Sequence, residues 1–172
     1  TSRDRFVKDS GFLAGLASSL YADTRVFART LLRSVSFTED AARACIVKLI
    51  AHLLVLEPHQ AEQAKDIAET VFTVFSAQLR TIGLNVVADL VTHPMVEVQE
   101  LGGNILLNHE TKAHNLPESL IHALIQSNFE TIRAIGIRLL SELPDELLVN
   151  RKGVLRAICI HALPDLRQAI RP

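Results

Sequence analysis

The chain has 172 residues, 48% of them hydrophobic, and a formal net charge of -1. That length makes one domain with a substantial core, and the apolar share excludes a disordered chain. The near-neutral charge gives no general basic footprint for nucleic acid, and no apolar run approaches the roughly 18 residues of a membrane span.

Arg3 to Leu20 sets Phe6, Leu13, Leu16 and Leu20 at helical spacing, despite Gly11 and Gly15. A turn at Tyr21 to Asp23 leads to a second helix from Thr24 to Ser34, with Val26, Phe27, Leu31 and Leu32 apolar. Thr38 is a suitable N-cap, with Glu39 and Asp40 in the first turn where carboxylates favour the positive end of the helix dipole. The helix it opens reaches Leu56 and is apolar enough to require cover on several sides. Pro58 opens a helix to about Gln78, and a further helix runs from Leu79 to Thr92. Pro94 begins another that reaches Asn108. Residues 108 to 117 form a polar loop, and Pro117 opens a short helix to Gln126. The stretch from Ser127 to Leu143 holds the next helix. Pro144 and Asp145 start a brief helical turn, Asn150 caps a helix from Arg151 to Leu163, and Pro164-Asp165 starts the last. No segment alternates with period two, so no sheet is expected.

One pattern recurs among these helices: an apolar residue, then Arg, a small residue three on, and two apolar residues three and four beyond. Ile132, Arg133, Gly136, Leu139 and Leu140 carry it, and Leu79, Arg80, Gly83, Val86 and Val87 repeat it. Arg25, Ala28, Leu31 and Leu32 repeat it without the leading apolar residue; Val98, Gln99, Gly102, Ile105 and Leu106 place Gln where Arg stood. Gln99, Arg133 and Arg167 stand 34 residues apart, each after an apolar residue (Val98, Ile132, Leu166). Ten helices in five antiparallel pairs follow: 3–20 with 24–34, 38–56 with 58–78, 79–92 with 94–108, 117–126 with 129–142, and 145–163 with 165 onward. A pair of this size cannot bury its apolar face alone, so neighbouring pairs must stack. The glycines at 83, 102 and 136 are expected to admit a neighbouring helix backbone. The Arg, one turn into its helix, is expected to reach a carboxylate or carbonyl of the neighbouring repeat.

With its apolar-Arg-x-x-small pattern and the prolines that open second helices, the chain resembles the HEAT-repeat family of armadillo-like α-solenoids. The L-P-D phrases at Leu143 to Asp145 and Leu163 to Asp165, with His93 to Gln99, resemble degenerate repeats of large bacterial multidomain proteins, some of which carry a WGR domain. The resemblance implies an all-α, right-handed solenoid of about five helix pairs in a single domain; a start at Thr1 without Met and a new motif opening at Leu166-Arg167 just before Pro172 lead us to expect a piece of a longer protein. A 34-residue period also fits tetratricopeptide repeats. Their signature wants Trp or a bulky aromatic, then Leu-Gly and Tyr, whereas this chain has no Trp and one Tyr, Tyr21.

Reaction chemistry finds no foothold in the sequence. His109-Glu110 and His114 mimic a zincin motif, but histidines five apart diverge by about 140° on a helix, and the polar segment reads as solvated loop. His52 and His122 have no matched ligand at i+3 or i+4, and the helix expected to hold His161 ends at Leu163, before Asp165. Gly102-Gly103 follows no strand and so marks no phosphate loop. Neither Cys45 nor Cys159 stands in a recognisable nucleophile setting; both sit in apolar runs and read as buried thiols of a reducing, cytoplasmic protein. No catalytic, cofactor-binding or metal residue is therefore assigned, no cofactor or small-molecule substrate is expected, and no membrane contact.

The expected role is a scaffold for another protein or another domain of the same polypeptide, without catalysis of its own. Charge divides along the chain: residues 1–33 sum to +3, 34–150 to -8 and 151–172 to +4. The acidic middle suits a basic partner. The alternative is an accessory nucleic-acid module that uses the basic ends at Arg3, Arg5, Arg151, Lys152 and Arg156, or, further off, a DNA-glycosylase-like enzyme, which would want a basic groove lined with aromatics. Aromatics are 5% of the chain.

Overall fold

Caps and breakers set the helix ends in the computed structural model, which describes residues 9–150 and 152–159. Asp9 accepts from the backbone N–H groups of Gly11 and Phe12, so α1 begins there and spans Ser10–Ala17. The helix expected from Arg3 thus opens, in its described part, at this cap, and Leu20 lies beyond its end, 75% exposed. The second helix, α2 (Ala22–Arg33), begins two residues earlier than expected. Thr38 caps α3 (Glu39–Leu53) through the Ala41 N–H, as its position predicted. The long helix expected from Pro58 divides: a 3-10 turn at Pro58–Gln60, α4 (Ala61–Val74), a break at Phe75 and the short α5 (Ser76–Leu79). Phe75 is buried and packs edge-on against Phe37, with ring centroids 5.3 Å apart.

The helix expected from Leu79 starts only at Leu84, as α6 (Leu84–Val91). Residues 80–83 give their carbonyls to another loop: Arg80 O accepts from the Glu110 N–H at 2.9 Å, and Ile82 O from the His109 ring at 2.8 Å. A helix through this segment would need those acceptors for itself. Then follow α7 (Val96–Asn108), a 3-10 turn at Ala113–Asn115 inside the expected loop, α8 (Glu118–Ile125) and α9 (Glu130–Ser141). Two short helices, α10 (Asp145–Asn150) and α11 (Lys152–Cys159), match the brief turn and following helix read from Pro144 and Asn150. Leu166, Arg167 and the last expected helix lie outside the described residues.

These elements form an all-α solenoid. The pairs α1/α2, α3/α4, α6/α7 and α8/α9 each fold back on themselves, and the second helices stack in the order α2, α4, α7, α9. The first helices α1 and α3 touch closely, α8 meets α6 and α11, and α3 stands off from α6 behind α5 and residues 80–83. Past α3 the second helices pack more closely on one another than the first helices do. One continuous core runs through every described pair, from Leu13 and Leu49 through Ile67, Leu90 and Ile105 to Leu124 and Ile132. The cover on several sides expected for α3 comes from α1, α4 and α5, which bury Cys45, Leu49 and Leu53, while Val47 is 65% exposed. No described helix is long and apolar enough to cross a membrane.

Candidate functional site: buried pins and an acidic cleft on the second helices

The recurring polar residue occupies the fourth position of its helix and reaches back six residues. Arg25 Nη1 donates to Ser19 O at 3.0 Å, Gln99 Nε2 donates to His93 O, and Arg133 Nη1 donates to Ser127 O at 3.1 Å. Each of these acceptors belongs to the turn between the two helices of the same pair; the expected reach to a carboxylate of the neighbouring repeat is made as well by Arg25, to Asp66. Such turns end a helix with carbonyls that the helix cannot satisfy, so a long side chain from the next helix takes them. All three side chains are at least nine-tenths buried.

Contacts to the neighbouring repeat come from the same residues' other atoms and from residues the sequence reading passed over. Ser127 Oγ donates to Gln99 Oε1 at 2.7 Å, which joins the α8–α9 turn to α7. Gln63 Nε2 donates to Ser18 O at 2.7 Å, which joins α4 to the α1–α2 turn. Arg25 Nε meets Asp66 Oδ2 at 2.8 Å, and Arg29 meets Glu69 at 2.8 Å and Thr70 Oγ1 at 3.0 Å. Arg33 donates to Thr73 Oγ1 at 3.3 Å. Arginines at 25, 29 and 33 thus run down α2 facing acceptors at 66, 70 and 73 on α4. The i, i+4, i+8 spacing of the arginines was the available signal.

The small residues behave alike in two of three cases. A Cβ at Gly102 would stand 3.1 Å from the Val91 backbone N, and one at Gly136 would stand 3.2 Å from the Ile125 backbone N. Each glycine therefore lets its helix close on the end of its partner helix, at sites 34 residues apart. Gly83 is a correction. It is the N-cap of α6, its nearest neighbour is the Asn85 side chain, and Arg80 is an exposed residue at the end of α5. The pattern at Leu79 to Val87 is a chance copy and not a repeat.

His109, read as a solvated loop residue, is half-buried and holds the 80–83 segment through Ile82 O, while its Nδ1 accepts from the Thr111 N–H. His114 is exposed in the same loop. His52 lies 3.4 Å from Gln63 Nε2, and His122 is exposed on α8; His161 lies outside the described residues. Cys45 is fully buried, and that burial pushes its thiol pKa up to about 11 against the opposing pull of Lys48. The side chain of Cys159 lies outside the description. Of the basic-end residues, Lys152 and Arg156 are exposed on α11, and Arg3, Arg5 and Arg151 lie outside the described residues.

Clefts open on both sides of the stack. On the second-helix side, a cleft of about 250 Å³ between α4 and α7 is lined by Lys65, Glu69, Phe72, Glu97, Glu100 and Leu101. On the first-helix side, where α3 and α6 stand apart, a cleft of about 220 Å³ is almost wholly apolar, with Ile46, Val47, Ile50, Leu54 and Val86.

No family model and no curated protein matches the chain. Among solved structures it is similar to an archaeal HEAT-like repeats protein from Thermococcus onnurineus NA1, with a TM-score of 0.52 over 98% of this chain and 70% of that one. At 14% sequence identity the likeness shows the fold alone, a HEAT-like repeat solenoid.

Proposed function

We propose that the chain is an interaction scaffold without a reaction of its own, which holds another protein, or another domain of the same polypeptide, against the stacked surface of its second helices. The observation that carries this is a division of labour among polar groups. Arg25, Gln99 and Arg133, the residues that look most like chemistry in the sequence, are buried and engaged with turn carbonyls. A cleft on the stacked second helices presents further polar groups, Lys65, Glu97 and Glu100 among them. A stack of repeats presents such a surface without any further element.

A cytoplasmic setting suits the buried Cys45 thiol. Membership of a larger bacterial protein that bears a WGR domain rests on the two L-P-D phrases alone. The nucleic-acid alternative draws less support: Arg25 and Arg29 are neutralised by Asp66 and Glu69, and the cleft carries three carboxylates against one ammonium, which repels phosphate.

A photo-crosslinking side chain installed at Lys65 or Asn104, on the second helices, is expected to capture a partner whose yield falls when unmodified protein is added in excess. The same group at Lys48 or His122, on the first helices, is expected to capture none saturably. Saturable capture confined to the first-helix positions, or to none of the four, overturns the proposal.

A further inference from the structure

We infer that the α4–α7 cleft is a docking groove for a basic, partly apolar protein segment, with guanidinium or ammonium groups over Glu97 and Glu100 and an apolar side chain against Phe72. The inference rests on the scaffold reading above and adds the place and chemistry of contact. Three features of the groove carry it.

The first is its shape. Lys65, Glu69 and Phe72 line one wall from α4 at i, i+4, i+7 spacing, and Glu97, Glu100 and Asn104 line the other from α7 at i, i+3, i+7. Alternating helices make these two second helices parallel, so the two stripes run side by side and a segment can lie between them. The second is the floor. Phe72 is half-buried and Leu101 buried, so an apolar side chain that enters the cleft exchanges water for carbon.

The third is charge. Glu69 is held by Arg29 at 2.8 Å. Glu100 accepts from Thr131 Oγ1 at 3.2 Å, a neutral donor that leaves its charge in place. Glu97 has no ion-pair partner among the described residues. Glu97 and Glu100 are each half-buried beside the apolar floor, where the local dielectric falls and a facing cation gains more than it would on open surface. An Arg there meets a carboxylate in the two-pronged geometry it favours and has the Phe72 ring within the same cleft. The two carboxylates belong to the segment of the chain, residues 34–150, that sums to -8, so attraction over distance and contact at the groove have the same sign. An acidic segment is repelled on both counts. A purely apolar one leaves the two carboxylates desolvated and unpaired, which costs affinity.

The test uses the full chain and short fluorescein-labelled peptides in which Leu alternates with Arg, with Gln or with Glu, followed by anisotropy. The Arg peptide is expected to bind saturably, about tenfold or more tightly than the Gln peptide, with the Glu peptide weaker still, and to weaken as salt rises. Glu97→Gln with Glu100→Gln, which keeps shape and hydrogen bonding, is expected to remove most of the advantage of Arg over Gln. Glu110→Gln with Glu142→Gln removes equal charge elsewhere and is expected to leave it. Phe72→Ala, checked by circular dichroism for retained helix, is expected to weaken the Arg and Gln peptides alike. Equal affinity for Arg and Gln peptides overturns the inference, as does equal loss in the two double variants. Self-association that disappears in the Glu97/Glu100 variant also overturns it, since a second copy of the chain would then be the occupant. If the peptides fail while crosslinking at Asn104 succeeds, the groove chemistry is wrong and the scaffold reading stands.

Discussion

Two glycines inside helices, Gly15 and Gly102, should respond differently to alanine. Gly15 lies in α1 and Gly102 in α7, both inside helices, so Ala gains on the order of 1 kcal/mol of helix propensity at either site. Around Gly15 nothing lies within 4 Å of the new Cβ. At Gly102 the Cβ would stand 2.8 Å from Val91 Cγ1, 2.9 Å from Leu90 Cβ and 3.1 Å from the Val91 backbone N. Carbon contacts settle near 3.5 Å or more, so α6 would have to withdraw by roughly half an ångström. Val91 is 2% exposed and Leu90 is fully buried, so neither can swing away. Overpacking of this kind costs about 1–3 kcal/mol. Gly15→Ala is therefore expected to stabilise by up to about 1 kcal/mol, and Gly102→Ala to be neutral or destabilising by up to about 2 kcal/mol. The propensity gain cancels in the difference, which isolates the packing of α7 on α6. For a chain of this size the two variants should melt roughly 2–12 °C apart, at about 2–4 °C per kcal/mol. Calorimetric or dichroic melts that place Gly102→Ala level with Gly15→Ala, or above it, refute the close approach.

Arg133→Ala is expected to lower stability by about 1.5–3 kcal/mol, because it strips a charged donor from the buried Ser127 carbonyl, while Arg138→Ala, at an exposed site, should stay within about 0.5 kcal/mol. Urea melts decide this, and equal losses would count against the pin. Cys45 should resist a thiol-specific reagent at neutral pH in the folded chain and react only on denaturation; fast native labelling at that site contradicts its burial. Because its folded pKa, about 11, lies above the usual thiol value, its contribution to stability is whole below pH 9 and is lost as pH rises toward 11. Cys45→Ala should flatten that part of the pH–stability curve.

The α6/α7 and α8/α9 pairs were legible because they obey one period. Val98 and Ile132, Gln99 and Arg133, Gly102 and Gly136, and Ile105 and Leu139 fall in matching positions, and the structure gives each matching partners. The α3/α4 pair was legible from its Thr38 cap and Pro58 but not from the period, since Ala64 occupies the fourth position of α4 where Arg or Gln stands elsewhere. The copy at Arg80 misled for a physical reason. A pattern of apolar, Arg and Gly is local, whereas the fate of residues 80–83 is decided by a loop some 30 residues on, through His109 and Glu110. The Arg25–Asp66 and Arg29–Glu69 pairs were hidden likewise, because their partners lie on a separate helix and no local rule joins them. The α4–α7 cleft was the least legible feature, as it depends on which sides of two helices face each other. Only its sign was foreseeable, from the acidic middle of the chain.

The central claim is that the recurring polar position holds the turn of its own pair and ties it to the neighbouring repeat. A double-mutant cycle on Gln99 and Ser127, whose side chains meet at 2.7 Å between α7 and the α8–α9 turn, tests it most directly. Gln99→Ala, Ser127→Ala and the double variant, compared by urea unfolding, are predicted to show a coupling of about 0.5–1.5 kcal/mol. Additivity of the two substitutions within about 0.3 kcal/mol would contradict the claim.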